Sequence, residues 1–357
     1  MAVIRESWLG NRFFGRPSAG TSFRVMKFRY RLAAAGFLAL LTVTSCSSGS
    51  GDSTASPSVA APAAFQDHNA DGASLANAWF ELLSQTGSAP GTLGATEEQA
   101  REGSALVRPY LDSAFQNQRA SGEHFTADNY LPSDIDDFEI SDVVVTAPRD
   151  DIRIVRYAIR TPGAADLGSG MAMSADFAPR LTVFRWDADL GHWVIVSHAN
   201  FNQSVAAICD QTPIPTVGAQ PSTGPEDVAL GESIVEQWRE ITTGKTSANV
   251  RHPESQIQLA NGQGWPSANG APIKWTPATD YTYADLSVTR NADLLVLSFD
   301  AVESGLEMEG VKYRSIVAPR LLTYLRNNDG KWEMISLANF TVPTAVPENV
   351  DCLKGSS

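Results

Sequence analysis

Apolar residues recur at three-and-four spacing in two stretches of this chain and in short β-rich runs elsewhere. Over 74–84, Leu75, Ala78, Trp79, Leu82 and Leu83 make one helical stripe, and over 231–242, Ile234, Val235, Trp238 and Ile241 make another, so each predicted helix presents a Trp to a core. Thr96 and Gln99 form a capping-box-like start for a second helix in the first half, and Pro109 should kink or restart it. A short helical stretch is predicted near 126–131, ended by Pro132. Runs rich in Val, Ile and aromatic residues, set between Gly, Pro and Asp clusters, predict strands at 138–147, 152–160, 180–186 and 193–201. A second set is predicted at 281–290, 294–302, 320–326 and 332–340. Helices followed by a run of strands, twice over, predicts an α+β fold rather than an alternating α/β one.

The two halves are related in sequence. Residues 178–201 run Ala178-Pro179-Arg180-Leu181, Phe184, a turn with Asp189 and Gly191, then Trp193, Ser197 and Ala199-Asn200-Phe201. Residues 318–340 run Ala318-Pro319-Arg320-Leu321, Tyr324, a turn with Asp329 and Gly330, then Trp332, Ser336 and Ala338-Asn339-Phe340. With one gap, 11 of 23 positions are identical, which marks a duplication. A shorter segment repeats at an offset of 140: Gln116, Gln118, Ala120 and Gly122 against Gln256, Gln258, Ala260 and Gly262. Period-two placement puts each pair of glutamines on one face of a strand that ends in a glycine turn. Those amides either face solvent or line a cavity where they donate and accept to a ligand.

These elements resemble the NTF2-like superfamily, close to its SnoaL-like and DUF4440-like bacterial members. The residues that carry the resemblance are 115–122, Tyr130-Leu131, 178–184 and 191–201, with their second-half equivalents. It implies two tandem cone domains, each a bent antiparallel sheet wrapped around N-terminal helices with a pocket at its open end. The predicted organisation is a signal region over 1–46, a tether over 47–72, domain one over 73–202, a Pro-rich linker over 203–228, domain two over 229–343 and a tail over 344–357.

The N-terminal segment reads as an address. Met26 to Arg31 is basic, 32–43 is an apolar run too short to span a membrane as a mature helix, and Val43-Thr44-Ser45-Cys46 resembles a bacterial lipobox. Cys46 is therefore the expected lipidation site, with an ordinary cleaved signal as the alternative. Residues 1–25 fit neither pattern, and Met26 reads as the natural start. The Ser-, Gly-, Ala- and Pro-rich stretch after Cys46 would act as a flexible tether spanning roughly 20–25 Å. The expected location is the bacterial cell envelope, lipid-anchored and facing the periplasm or exterior.

Charge narrows the partners. The chain carries 27 Lys and Arg against 40 Asp and Glu; seven and one of these fall within 1–45, which leaves a net charge of -19 on the remainder. A surface that acidic repels phosphate backbones, so no nucleic-acid partner is expected. The expected partners are the membrane, through lipid on Cys46, and either a small apolar ligand or another envelope protein.

Candidate chemistry is sparse. Relatives of the fold include isomerases, dehydratases and polyketide cyclases whose Asp, His or Tyr projects into an apolar cone, and also non-catalytic binding modules. The catalytic candidates are His198, Asp142 and Tyr157; the ligand-binding candidates are Gln116, Gln118, Arg180, Gln256, Gln258 and Arg320. Strand parity puts Trp193, Ile195, Ser197, Ala199 and Phe201 on one face and His198 on the other. His198 becomes Leu337 in the second copy and Tyr157 becomes Phe299, so only the first copy retains these proton-transfer groups. His198 is read either as acid/base or as a strand His that packs or donates a structural hydrogen bond. Arg180 and Arg320 either bind an anionic ligand or fix an internal carboxylate.

Asp67 to Gly72 has oxygen ligands at alternate positions like a calcium loop, but its twelfth position is Ala78, so it reads as a polar helix lead-in. No metal-ligand spacing, dinucleotide fingerprint, phosphate loop or serine elbow occurs, and neither metal nor cofactor is expected. Cys209 and Cys352 are a disulfide candidate, with free or intermolecular thiols as the alternative. Three readings stand open: a non-catalytic binding or scaffolding module, an isomerase, dehydratase or cyclase acting in the first pocket, and a structural pseudo-dimer whose copies bury their sheets against each other.

Overall fold

The computed structural model describes residues 61–86, 97–132, 135, 137–161, 177–202, 218–247, 250–260, 262–266, 275–308, 310–341 and 344. All of them belong to one compact unit, Ala55–Ser357. The lipobox with Cys46, the expected tether as far as residue 60, Thr96, Cys209 and Cys352 lie outside the described residues. The end of the segment expected to be tether, 61–72, is instead ordered, because it carries a short helix whose Phe65 is buried in the first core.

The first half opens with α1 (Ala63–Gln66) and α2 (Gly72–Ser84). Asp71 caps α2 by accepting from the Ser74 N–H at 2.7 Å, and Asp67 accepts from the Asn69 N–H, so the calcium-like segment is spent on starting a helix. Helix α3 (Glu97–Val107) passes into a 3-10 turn, Arg108–Tyr110, where Pro109 has no N–H to continue the ladder. Six strands follow: β1 (Leu111–Arg119), β2 (His124–Thr126), β3 (Glu139–Thr146), β4 (Ile152–Arg160), β5 (Ala178–Asp187) and β6 (His192–Asn200). The helix expected near 126–131 is a strand end and a turn instead. There the Asn129 carboxamide oxygen captures the Thr126 N–H at 2.7 Å, a local bond that competes with helix formation.

The second half opens with α4 (Pro225–Thr242), which starts six residues earlier than its apolar stripe. Pro225 supplies a pre-set φ at the first turn, and Glu226 and Asp227 complement the helix dipole. Its strands are β7 (Arg251–Leu259), β8 (Gly264–Pro266), β9 (Trp275–Thr276), β10 (Asp280–Asn291), β11 (Leu294–Ser304), β12 (Glu307–Met308), β13 (Val311–Lys312), β14 (Ala318–Arg326) and β15 (Trp332–Asn339).

One six-stranded sheet has the order β2-β1-β6-β5-β4-β3 and the other β8-β7-β15-β14-β11-β10, which is the same order; β9, β12 and β13 form a small third sheet. The expectation of purely antiparallel sheets is corrected, because β1 pairs with β6, and β7 with β15, in parallel. The long excursions between those partners supply the crossover that parallel pairing needs.

Each large sheet is covered on one face by its helices. In the first half Leu75, Trp79, Phe80 and Leu83 pack with Phe115, Tyr157, Phe184 and Trp193. In the second, Ile234, Val235, Trp238 and Ile241 pack with Val288, Leu297, Tyr324 and Met334. A helix glycine lies seven residues before each Trp: a Cβ on Gly72 would come within 2.6 Å of Val145 Cγ2, and one on Gly231 within 2.4 Å of Val288 Cγ2. Both helices approach their sheets more closely than alanine allows.

The uncovered faces pack on each other. Ile152, Ile154, Leu181, Val183, Val196, Ala199 and Phe201 share a third core with Leu294, Val296, Leu321, Leu325, Ile335, Ala338 and Phe340. Polar contacts cross the same interface: Ser197 Oγ lies 2.8 Å from Thr323 Oγ1, Thr289 Oγ1 donates to the Ala114 carbonyl at 2.6 Å, and Asn291 Nδ2 donates to Asp112 Oδ1 at 2.9 Å. The end of the segment expected to be linker joins this arrangement in extended form. Gln220 N donates to Ser287 Oγ and Thr223 N to the Val288 carbonyl, beside β10.

A bulge decides which residues face which core. Val183 pairs with Ser197 but Phe184 with Ile195, so Val196 is an extra residue in β6; Ile335 is the extra residue in β15. Simple parity along 193–201 is thereby corrected. Trp193 and Ile195 face the helices, whereas Ser197, Ala199 and Phe201 face the other sheet.

Candidate functional site

The helix-covered face of the first sheet brings most of the polar candidates into one buried cluster. β1 contributes Asn117 and Arg119, β4 Tyr157, β5 Arg180 and Thr182, and β6 His198 and Asn200; none is more than 6% exposed. Asn117, Arg119, Arg180, His198 and Asn200 surround a space of about 10 Å³, room for a single water, walled also by Phe80, Leu83, Tyr130 and Ile135.

His198 is fixed from three sides. Its Nδ1 lies 2.8 Å from Thr182 Oγ1, which lies 3.1 Å from the Tyr157 hydroxyl, and its carbonyl accepts from Asn117 Nδ2 at 2.8 Å. Trp79 and Phe80 meet its ring edge-on at centroid distances of 6.0 and 6.2 Å. Burial, then the positive charges of Arg180 and Arg119, hold its pKa well below the ordinary histidine value. Burial likewise raises the Tyr157 phenol. The result is a neutral imidazole at the end of a hydroxyl chain. Asp142 is not brought to this cluster. It occupies a bulge in β3 with φ of 52°, and its counterpart Asp285 does the same in β10 with φ of 54°.

The second sheet replaces the chain with apolar side chains at every member. Phe299, Leu322 and Leu337 hold the register positions of Tyr157, Thr182 and His198. Its own space is larger, about 30 Å³, walled by Trp238, Trp275, Ile257, Leu306, Met308 and Leu337, with Glu303 and Asn339 among its polar residues.

The two repeated arginines differ in partner. Arg320 donates to Glu303 Oε2 at 2.5 Å with both side chains at most 3% exposed, and also bonds the Pro319 carbonyl and Thr341 Oγ1. Arg180 donates to the Pro179 carbonyl at 2.8 Å and to Asn202 Oδ1 at 3.3 Å, and its Nε has no partner. Among the described residues no carboxylate pairs with it. Burial, with Arg119 adding to it against Tyr157, brings its pKa down to about 10. Arg119 is paired with Glu123 at 3.2 Å and lies over the Phe125 ring.

The glutamines face away from this cluster. Gln118 Nε2 donates to the Arg119 and Glu123 carbonyls and Gln258 Nε2 to those of Leu259 and Gln263, so each ties down its own hairpin turn. Gln116 reaches across to the second sheet: its Nε2 donates to Thr289 Oγ1 and the Val296 carbonyl, both at 2.9 Å, and its Oε1 lies 3.0 Å from His124 Nε2. His124 continues the link to Ser298 Oγ at 2.9 Å. Gln256 is fully buried, and neither atom of its amide has a partner.

Sequence reading did not single out Thr182, Asn117, Arg119, Glu303 or Thr161. The signal available was the repeat itself: Thr182 against Leu322, and Thr161 against Glu303, are polar residues that change between otherwise matching strands. Among the described residues no group of His, Cys, Asp or Glu is placed to hold a metal ion, and no helix is long and apolar enough to cross a membrane.

No protein-family profile matches the sequence, and no curated protein does. Solved structures do resemble parts of it. An NTF2-like protein from Cytophaga hutchinsonii is 15% identical, covering 34% of this chain and 100% of its own, with a TM-score of 0.25. An NTF2-like superfamily protein from Salmonella enterica serovar Typhimurium is 14% identical over 34% of this chain and 96% of its own, also at 0.25. A candidate ketosteroid isomerase from Parabacteroides distasonis is 13% identical over 34% and 91%, again at 0.25.

Proposed function

We propose that this chain is an envelope lipoprotein, anchored through lipid on Cys46, whose two NTF2-like cone domains of the SnoaL-like or DUF4440-like kind form a non-catalytic binding module. The observation that carries the non-catalytic reading is the setting of His198. A general acid or base needs a pKa near the working pH and a reacting atom within hydrogen-bond reach. Burial and two arginines push His198 away from that range, no carboxylate among the described residues orients it, and the space beside it takes one water. Asp142, the carboxylate of the isomerase, dehydratase or cyclase alternative, lies on an exposed bulge elsewhere. The repeated sequence motifs and the common strand order of the two sheets support the tandem-domain reading.

The test is mass spectrometry of the protein isolated from its native envelope with mild detergent, together with cross-linking. A stoichiometric small molecule or a specific envelope protein is the expected finding, and Cys46→Ala should release the chain from the membrane fraction. Turnover of a hydroxy- or keto-substrate that is abolished by His198→Leu would overturn the reading.

A further inference from the structure

We infer that the first domain holds a small monovalent anion, a halide or the carboxylate of a short organic acid, on Arg180 at the buried base of its helix-covered face. This rests on the binding reading above and names the chemical class of one ligand. The two halves of the molecule differ at one buried ion pair. Arg180 and Arg320 occupy the same register position, Arg180 opposite Tyr157 and Arg320 opposite Phe299. Four residues on from Phe299 is Glu303, the built-in counter-ion of Arg320; four residues on from Tyr157 is Thr161. The first half has therefore kept the buried cation, 1% exposed, and replaced the carboxylate with a neutral hydroxyl.

Three groups around that exchange are left unsatisfied. Arg180 Nε, Thr161 Oγ1 and Asn202 Nδ2 are buried without hydrogen-bond partners, and all three are able to donate; Arg320 Nε is likewise unpartnered, so Thr161 and Asn202 are what set the first half apart. Asn202 already touches Arg180 through its Oδ1, and it stands where Thr341 bonds Arg320 in the second half. An isolated buried guanidinium costs far more than a paired one, so a site that keeps the cation and discards the internal acid is completed by an external negative charge. Arg119, a second buried cation, lines the same space. Size restricts the class: about 10 Å³ takes one water-sized centre, which suits chloride, bromide or one end of a carboxylate and excludes sulfate or a phosphate ester.

The experiment is a thermal-unfolding titration of the full chain with sodium chloride, bromide, acetate and sulfate, ionic strength being held with the sodium salt of the bulky sulfonate HEPES. The wild type should gain about 5 °C at saturating levels of at least one small monovalent anion and nothing specific from sulfate. Thr161→Glu, which copies the arrangement of the second half, should melt higher in the HEPES salt alone and lose the anion response. Glu303→Thr, where it folds, should acquire a second response. Chloride and bromide acting alone would identify a halide site, and acetate acting alone a carboxylate site. A wild type indifferent to all three anions, or a Thr161→Glu variant that responds like the wild type, would overturn the inference. An uncharged molecule co-purifying with such an indifferent protein would overturn the anion while leaving the binding module standing.

Discussion

The rings of Phe201 and Phe340 stack with centroids 4.2 Å apart and planes 15° from parallel, each the last residue of its own Ala-Asn-Phe repeat. They lie in the core shared by the two sheets, so the same triplet that closes each half also joins them. Phe340→Ala should cost about 3–5 kcal/mol, as buried aromatic truncations do. Phe201→Ala should cost a similar amount and combine with it less than additively, because the two rings share one contact. Urea unfolding followed by near- and far-ultraviolet circular dichroism checks both points. Two separate transitions in the wild type would show that the halves do not depend on this core.

Gln116 and Gln256 sit at equivalent positions with opposite satisfaction. Gln116→Met should destabilise by roughly 1–3 kcal/mol, since Thr289, His124 and the Val296 carbonyl lose a buried partner. Gln256→Met should be neutral or stabilising, because the amide it removes is desolvated without return. Equal losses from the two changes in chemical denaturation would contradict this difference.

Acid should weaken the fold through its buried histidines. His198 sits well below its ordinary 6.5, and burial brings His124 down to about 4. Unfolding lets each take a proton below about pH 6.5, so their contributions are complete above that value and shrink as pH falls toward the folded pKa. Asp300, raised to about 6 by burial and then by Asp285, works the other way; its contribution is present at low pH and lost as pH rises through 6. His198→Leu removes one histidine term, so its stability deficit relative to wild type should narrow by roughly 2 kcal/mol between pH 7 and pH 5. A deficit that stays constant over that interval would mean that His198 is free to protonate in the folded protein.

Gly231→Ala pits helix propensity against contact. Alanine is favoured by about 1 kcal/mol inside a helix, yet its Cβ would lie 2.4 Å from Val288 Cγ2. A net loss of about 1–2 kcal/mol is expected. Val288→Ala in the same background should recover part of it, and a Gly231→Ala variant with raised melting temperature would show that the helix shifts freely.

Local patterns in the chain were enough to place most elements. The three-and-four stripes around Trp79 and Trp238 and the Val- and Ile-rich runs mark two helices and the long strands, because each depends on nearby spacing alone, although α4 begins six residues before its predicted start. The repeat at an offset of 140 anticipates two sheets of equal strand order for the same reason: matching residues obey matching local rules. What each strand residue faces was legible only in part. Parity along 193–201 fails at Val196, since one extra residue in a period-two pattern moves every later side chain to the other face.

The polar residues of the site depended still more on long-range placement. Sequence marks Arg180 and Arg320 as a matched pair and marks His198 and Tyr157 as unmatched. Only the folded strands put Glu303 beside Arg320 while no carboxylate among the described residues pairs with Arg180, and only they turn Gln116 into the opposite sheet. An ion pair or an inter-sheet hydrogen bond is a relation between distant positions whose partners are chosen by register and packing. The composition and spacing of one segment settle what a residue is able to do, and the tertiary structure settles what it meets.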